Sequence, residues 1–263
     1  MTTGITATAR TRFAGRTALV TGAGTGIGRG IALAFAREGA QVVVAGRRTS
    51  PLEETAALIE ESGGKALPMT ADVTRPEDLR ALVSGTVAHF GSLDVAVNNA
   101  GILTGRGRSV ADLPEEDWRT MLDINVTGVF LALQAEIAQM RTQPTGGAIV
   151  NIASRIGVHS RLPGTAAYAT TKAAVSILTR AAALDHIADG IRISAVSPGP
   201  TATDMSFKPG ETDSDRAARM RTESPVGRVS TVEEIAAAVL YLASDDAASV
   251  VGADLVVDGG STA

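Results

Sequence analysis

Short runs that are apolar on both sides of an extended chain recur through this sequence, separated by longer Ala-rich segments of helical period. A strand with no polar face must be covered on both faces, and a parallel sheet with helices packed above and below does this. The runs are Thr17–Val20, Gln41–Ala45, Ala66–Met69, Val95–Val97, Ala148–Ile152, Ile191–Val196 and Leu255–Val257. Helix starts between them are marked chemically. Ser50-Pro51-Leu52-Glu53 and Thr231-Val232-Glu233-Glu234 each place a hydroxyl three residues before a glutamate, and Pro76-Glu77-Asp78 opens another helix with negative charge at its N-terminus. The 263 residues suit a single α/β domain, expected over 13–263, behind a flexible Thr-rich tail of 1–12. The stretch 198–228, rich in Gly, Pro, Ser, Thr and charge, has no clear pattern and reads as a mobile substrate loop or lid.

Composition narrows the partners. With 24 basic and 28 acidic residues, a formal charge of −4 offers no footprint for nucleic acid or an anionic membrane. The lack of cysteine excludes disulfides and thiolate metal sites, and three scattered histidines have no ligand spacing, so no metal is expected. No apolar run approaches the roughly 20 residues of a membrane helix, and the polar start MTTGITATARTR lacks the apolar core of a secretory signal. A cytoplasmic setting and a small-molecule partner are expected.

After the first run comes TGAGTGIG, Thr21 to Gly28, leading into the helical segment Arg29–Glu38. Glycines at a strand-to-helix turn admit a phosphate close to the backbone, and the helix N-terminus meets it with free N–H groups and the positive end of its dipole. Gly22, Gly26 and Gly28, with Thr25 and Ile27 between them, suit a pyrophosphate. Their GxxxGxG spacing is not the widest dinucleotide pattern, and the loop alone leaves a glycine turn without ligand as the alternative.

Tyr168-Ala-Thr-Thr-Lys172 lies in another Ala-rich segment, where a four-residue spacing puts both side chains on one helical face so that their polar ends can meet. A phenol is a poor base near neutral pH unless a cation stabilises the phenolate, and Lys172 is placed to do so. In the reducing direction the same tyrosine donates its proton to a forming alkoxide. Ser154, just past the run Ala148–Ile152, is the candidate hydroxyl for polarising the carbonyl oxygen.

Taken in order, TGAGTGIG, Asp72-Val73, NNAG at Asn98–Gly101, Asn125, Ser154, YATTK, SPGPTATDM at Ser197–Met205 and the C-terminal PVGRVSTVEEIAAAVLYLASDDAASVVGADLVVDGG resemble the short-chain dehydrogenase/reductase family from Gly15 to Gly260. The resemblance implies a Rossmann-type doubly wound sheet of seven parallel strands and a nicotinamide cofactor across the strand ends. It implies Tyr168 as acid/base, Lys172 as the group that lowers its pKa and binds the ribose, Ser154 on the reacting oxygen, and Asn125 holding the lysine through water. Asn98, Ala100 and Gly101 would line the cofactor, Asp72 beside Val73 would bond the adenine, and the turn carrying Pro198, Gly199, Thr201 and Thr203 would cover the nicotinamide amide. Three departures stand out. Ser154 and Tyr168 are fourteen residues apart, one more than is usual in the family, so Arg155–Arg161 is expected to bulge near the pocket. Ser194 replaces the family's usual asparagine and looks structural. The loop after Met205, where such proteins select substrates, matches no pattern.

At the end of the second run, an acid would bond both hydroxyls of an adenosine ribose and repel a phosphate. Gly46 takes that place, followed by Arg47 and Arg48, which can grip a 2′-phosphate. NADP(H) is therefore expected, with NAD(H) as the alternative; Thr25 stands where many NADP-preferring relatives carry a basic residue. The expected activity interconverts a ketone or aldehyde and an alcohol by hydride transfer. The alternatives are an NAD-dependent dehydrogenase oxidising a sugar or secondary alcohol and a cofactor-binding sensor without chemistry. Arg155, His159 and Arg161 are available to a polar or anionic ketone or, as is commoner, to solvent. Exposed Ala and Leu faces on Asp117–Met140 and Thr165–Ala188 imply partners, and the resemblance implies a homotetramer, with a dimer as alternative.

Overall fold

The structure is a computed structural model that describes residues 11–263. Seven parallel strands form one sheet in the order β3-β2-β1-β4-β5-β6-β7: β1 (Thr17–Thr21), β2 (Gln41–Gly46), β3 (Lys65–Thr70), β4 (Val95–Asn98), β5 (Gly147–Ile152), β6 (Ile191–Pro198) and β7 (Asp254–Val257). Every run expected to be a strand is one. The alternation of side chains divides each strand between two cores, with Ala18, Val20, Val42 and Val44 facing one way and Leu19 and Val43 the other. Helices α1 (Gly26–Arg37) and α2 (Thr49–Glu61) pack on the first face, and α3 (Pro76–Phe90) covers the second. Each fully buried Val or Leu contributes about 1.5–3 kcal/mol, so the two-faced apolar runs dictate the three-layer arrangement.

A long helical segment follows β4. It consists of α4 (Glu115–Leu122), one π-helical turn over Asp123–Thr127 and α5 (Gly128–Met140). By length and composition Glu115–Met140 could cross a membrane, against the sequence expectation. It is a core helix here: α5 packs on α3, and Asn125 and Glu136 are buried along it. The second face is completed by α6 (Ala166–His186), and the first by α8 (Val232–Ala243) beyond α7 (Asp213–Glu223).

Three local expectations are corrected. Ser50 does not cap α2, which begins at Thr49 behind an extended Arg48; Ser50 Oγ reaches Glu54 at 3.3 Å from within the first turn. Pro51 lacks an N–H that the first helical turn leaves unused, so it allows the helix to start earlier. The Thr231 box forms as expected, with Glu234 N donating to Thr231 Oγ1 at 3.2 Å and Thr231 N to Glu234 Oε2 at 2.7 Å. The stretch 198–228 is not patternless, because α7 lies inside it behind a second box made by Thr212 and Asp215. Met220 is the one buried residue of that helix, so no apolar stripe announces it. Of the expected tail, residues 1–10 lie outside the described residues, and Arg12 is held by Glu38 through Nη2–Oε1 at 2.6 Å and Nε–Oε2 at 2.9 Å.

The strand order reverses between β1 and β4, where the connections leave in opposite directions and open a crevice beyond the carboxyl ends of the strands. Two adjoining cavities lie there.

Candidate active site

The first cavity, of about 850 Å³, runs along the glycine loop, past Gly46, Arg47 and Arg48, to Asp72 and Val73. Gly22 has φ +65°, and a Cβ on it would come 2.8 Å from Asn99 Nδ2. Gly28 faces inward, where a Cβ would meet Gly22 O at 2.3 Å; it closes the turn against α1 and does not line the cavity. Thr25 caps α1 without a side-chain hydrogen bond, and no acid stands in the first helical turn. The bare amides and positive dipole end that follow fit a pyrophosphate, and the tight glycine cradle admits its close approach.

Asn99 was missed by the sequence reading, which chose Asn98. Asn98 points into the core between β4 and α5, where Nδ2 donates at 3.0 Å to both Glu136 Oε2 and Asn151 Oδ1. Burial pushes the Glu136 carboxyl up to about 7, against the hydrogen bond from Asn98. Asn99 is the residue at the cavity. Its Nδ2 donates to Thr21 O at 3.0 Å and Gly22 O at 3.2 Å, while its backbone N–H and that of Ala100 both donate to Thr21 Oγ1. Strand alternation is the signal that separates them: Asn98 ends β4 facing the core, and its neighbour lies past the strand end. Ala100, Gly101, Thr25, Ile27 and Thr203 line this cavity as expected. The Asp72 carboxylate, although burial opposes ionisation, is held below its ordinary pKa by Thr74, which donates through N at 2.9 Å and Oγ1 at 2.8 Å, and by the charges of Arg47 and Arg75.

The second cavity, of about 770 Å³, shares Ile27, Asn99, Gly101, Thr203 and Met205 with the first and contains Ser154, Tyr168 and Lys172. Its rim includes Pro198, Gly199 and Thr201. Ser154, Tyr168 and Lys172 are all buried. Lys172 Nζ lies 5.9 Å from the Tyr168 ring centroid and donates to Ile152 O at 2.8 Å. The two polar ends, expected to meet, make no hydrogen bond with each other; the hydrogen bond of Nζ goes to the carbonyl at the end of β5. Burial raises the phenol above its ordinary pKa, opposed by a hydrogen bond from Ser154 and by the charge of Arg106. Burial also lowers Lys172 to about 8.

Asn125 lies wholly buried in the π-helical turn, a local irregularity found often at functional sites. Its Oδ1 accepts from Ile102 N at 2.8 Å, and Nδ2 donates to Ile102 O and Thr171 Oγ1. A Cβ on Gly101 would lie 3.2 Å from Asn125 Oδ1 and 3.4 Å from Lys172 Nζ, so this glycine separates the two polar groups. The segment after Ser154 turns back on itself, with Gly157 N donating to Ser160 O and Ser160 N to Arg155 O, as its extra residue suggests. Arg155 lines the cavity, but His159 and Arg161 do not. His159 is drawn off by Asp254, its Nε2 lying 3.0 Å from Oδ2 without the alignment of a hydrogen bond, and Arg161 is exposed. Ser194 is buried in β6. No group of three metal-binding side chains occurs among the described residues.

The family model described as enoyl-(acyl carrier protein) reductase matches residues 22–262. The chain is 38% identical to a 3β-hydroxysteroid dehydrogenase of Mediterraneibacter gnavus, covering 95% of this chain and 96% of that one. It is 40% identical to a short-chain type dehydrogenase/reductase from Mycobacterium marinum, whose crystal structure has a TM-score of 0.89 over 96% of this chain and 98% of that one. An NAD+-bound xylitol dehydrogenase is 36% identical, with a TM-score of 0.88 over 94% of this chain and 99% of that one. Fold and cavities define a Rossmann-type oxidoreductase that uses a nicotinamide cofactor. The chain belongs to the short-chain dehydrogenase/reductase family and acts on CH–OH groups or their carbonyl counterparts.

Proposed function

We propose that this protein is an NADP(H)-dependent carbonyl reductase, acting as a single domain over 13–263 with 198–228 as its substrate loop. The observation that carries the reading is the junction of the two cavities, with the phosphate cradle in one and Ser154, Tyr168 and Lys172 in the other. When bound, the nicotinamide supplies or accepts the hydride. Ser154 donates a hydrogen bond to the carbonyl oxygen, and Tyr168 delivers a proton to that oxygen as charge develops on it. Burial keeps the phenol protonated, ready to donate at neutral pH. Lys172, fixed by Ile152 O, keeps N–H groups for the cofactor ribose, and Asn125 keeps the turn around Ile102 and Gly101 in place beside it. Gly46 removes the acid that would repel a 2′-phosphate, and Arg47 and Arg48 supply its countercharge. A panel of ketones and alcohols assayed with NADPH and NADH by cofactor absorbance tests this. Ketone reduction is expected to run about tenfold or more faster with NADPH, the worth of one charge-assisted hydrogen bond. Equal efficiencies would discard the cofactor choice, and the NAD-linked oxidation of a sugar or secondary alcohol, as the name of the xylitol dehydrogenase suggests, would then stand.

The assembly we infer is a homotetramer in the cytoplasm. Phe130 on α5, Ile177 and Leu184 on α6, Tyr241 on α8 and Leu255 on the edge strand β7 are exposed, the first three on helices that cover the second sheet face and Tyr241 on one that covers the first. Two separate self-complementary faces close a tetramer, whereas one closes a dimer. Light scattering is expected to give four times the 26.8 kDa chain mass; a monomer at assay concentration would refute this assembly.

A further inference from the structure

The cavity that holds Tyr168 is apolar along Leu103, Ile156, Leu162 and Met205 but also carries several basic side chains. Two of these charges are already paired. Arg219 reaches Glu211 at 2.6 Å and Glu223 at 3.0 Å, and Lys208 reaches Glu223 at 3.1 Å. Two guanidinium groups differ. Arg106 donates through Nη1 to the carbonyls of Met205 at 3.1 Å and Phe207 at 2.9 Å and meets no carboxylate at ion-pair distance among the described residues. Arg155 is half-buried on the cavity wall. Its backbone is pinned by N–H donation to Pro198 O at 3.0 Å and by accepting from Ser160 N at 2.8 Å, yet its side chain has no hydrogen bond or ion pair among the described residues.

A half-buried guanidinium has given up part of its hydration, and an oxyanion in the cavity replaces it with two parallel charge-assisted bonds. Arg106 lines the same cavity as Tyr168, and its positive charge opposes the burial that raises the Tyr168 pKa. We infer that the substrate is an amphipathic oxo or hydroxy acid whose carboxylate is gripped by Arg155, with Arg106 as second contact, and whose apolar body lies along Leu103, Ile156 and Met205. This substrate class rests on the carbonyl chemistry assigned to the same cavity. Arg155 is thereby a specificity-determining residue.

The test compares 4-oxocyclohexanecarboxylate with its methyl ester on the enzyme supplied with NADPH; the two share carbonyl and ring and differ in charge. The acid is expected to have a kcat/KM about tenfold or more above the ester, expressed in KM and weakened by added salt. Arg155→Gln is expected to bring the acid-to-ester ratio close to one, and Arg155→Lys to restore part of it. Calorimetric titration of each compound into the NADPH complex should give the same ratio without relying on turnover. A ratio near one in the parent enzyme, or one that survives both Arg155→Gln and Arg106→Gln, overturns the inference. Turnover of both compounds without preference removes the anion site alone. Preferential binding of the acid with no turnover of either compound sustains the anion site and removes the catalytic reading.

Discussion

Tyr168→Phe is expected to lower the kcat for ketone reduction by about 10²–10⁴-fold, the usual worth of general acid–base catalysis, while cofactor binding persists. The substitution deletes one oxygen and keeps the ring. That ring is buried in a small cluster with Met121 and Ala167, and the ammonium of Lys172 lies 5.9 Å from its centroid, so helix α6 and the lysine retain their packing. What is lost is the hydroxyl that Ser154 faces and that burial holds in its protonated form. The pH dependence follows from the same environment. Because burial raises the phenol pKa, reduction should hold steady through neutral pH and decline only as Tyr168 loses its proton in alkali, whereas oxidation, which needs the phenolate, should rise over that range. Lys172, brought down to about 8 by burial, loses its charge at lower pH than the range in which Tyr168 titrates, so the two groups should appear as separate steps in the profile. Single-turnover kinetics and fluorescence titration with NADPH separate chemistry from binding. Turnover of the variant comparable to the parent's would take the tyrosine out of the mechanism, and a parent with cofactor binding but no turnover on the whole panel would favour the sensor.

The strands and the glycine loop were legible because their cause is local. A run such as Val42–Val44 is buried on both faces, and only a covered sheet meets that demand. Tyr168 and Lys172 were legible as a pair because helical spacing puts them on one face, but where Nζ would go depended on Ile152 O, a carbonyl 20 residues away in sequence. The same limit explains Asn98 and Asn99: the motif names both, and only the end point of β4 decides which side chain enters the core. His159 read as a candidate for the pocket because Asp254, which claims it, lies on β7, 95 residues further along the chain. Helix α7 was hidden for a different reason, since a helix charged on nearly all sides has no apolar period to detect, although its Thr212–Asp215 box was a readable start signal. The π-helical turn that places Asn125 has no sequence signal that we could identify.

Arg47→Asp should reverse the cofactor preference. Arg47 follows the end of β2, beside a Gly46 whose missing Cβ leaves its nearest neighbour, Leu52 Cδ2, 3.3 Å from where that atom would lie. The acids that line the same cavity are Asp72, which follows the neighbouring strand β3, and Asp204. A charge-assisted hydrogen bond to a 2′-phosphate accounts for about tenfold to a hundredfold in affinity, and placing a carboxylate there adds repulsion to the loss. The change should therefore fall mainly on the KM for NADPH. NADH should gain as the new carboxylate accepts from the ribose hydroxyls, the arrangement that an acid in this region of the fold provides. One opposing effect is built into the site. The Arg47 charge helps to hold Asp72 below its ordinary pKa, so the substitution sets two carboxylates near one another and raises the cost of keeping both ionised. The gain with NADH should consequently be smaller than the loss with NADPH, and it should improve with salt, which screens exposed charges. Arg48→Ala should reduce NADPH efficiency by less than Arg47→Asp does. An NADPH-to-NADH efficiency ratio that Arg47→Asp leaves unchanged would assign this arginine to solvent and return the choice of cofactor to other residues along the cleft.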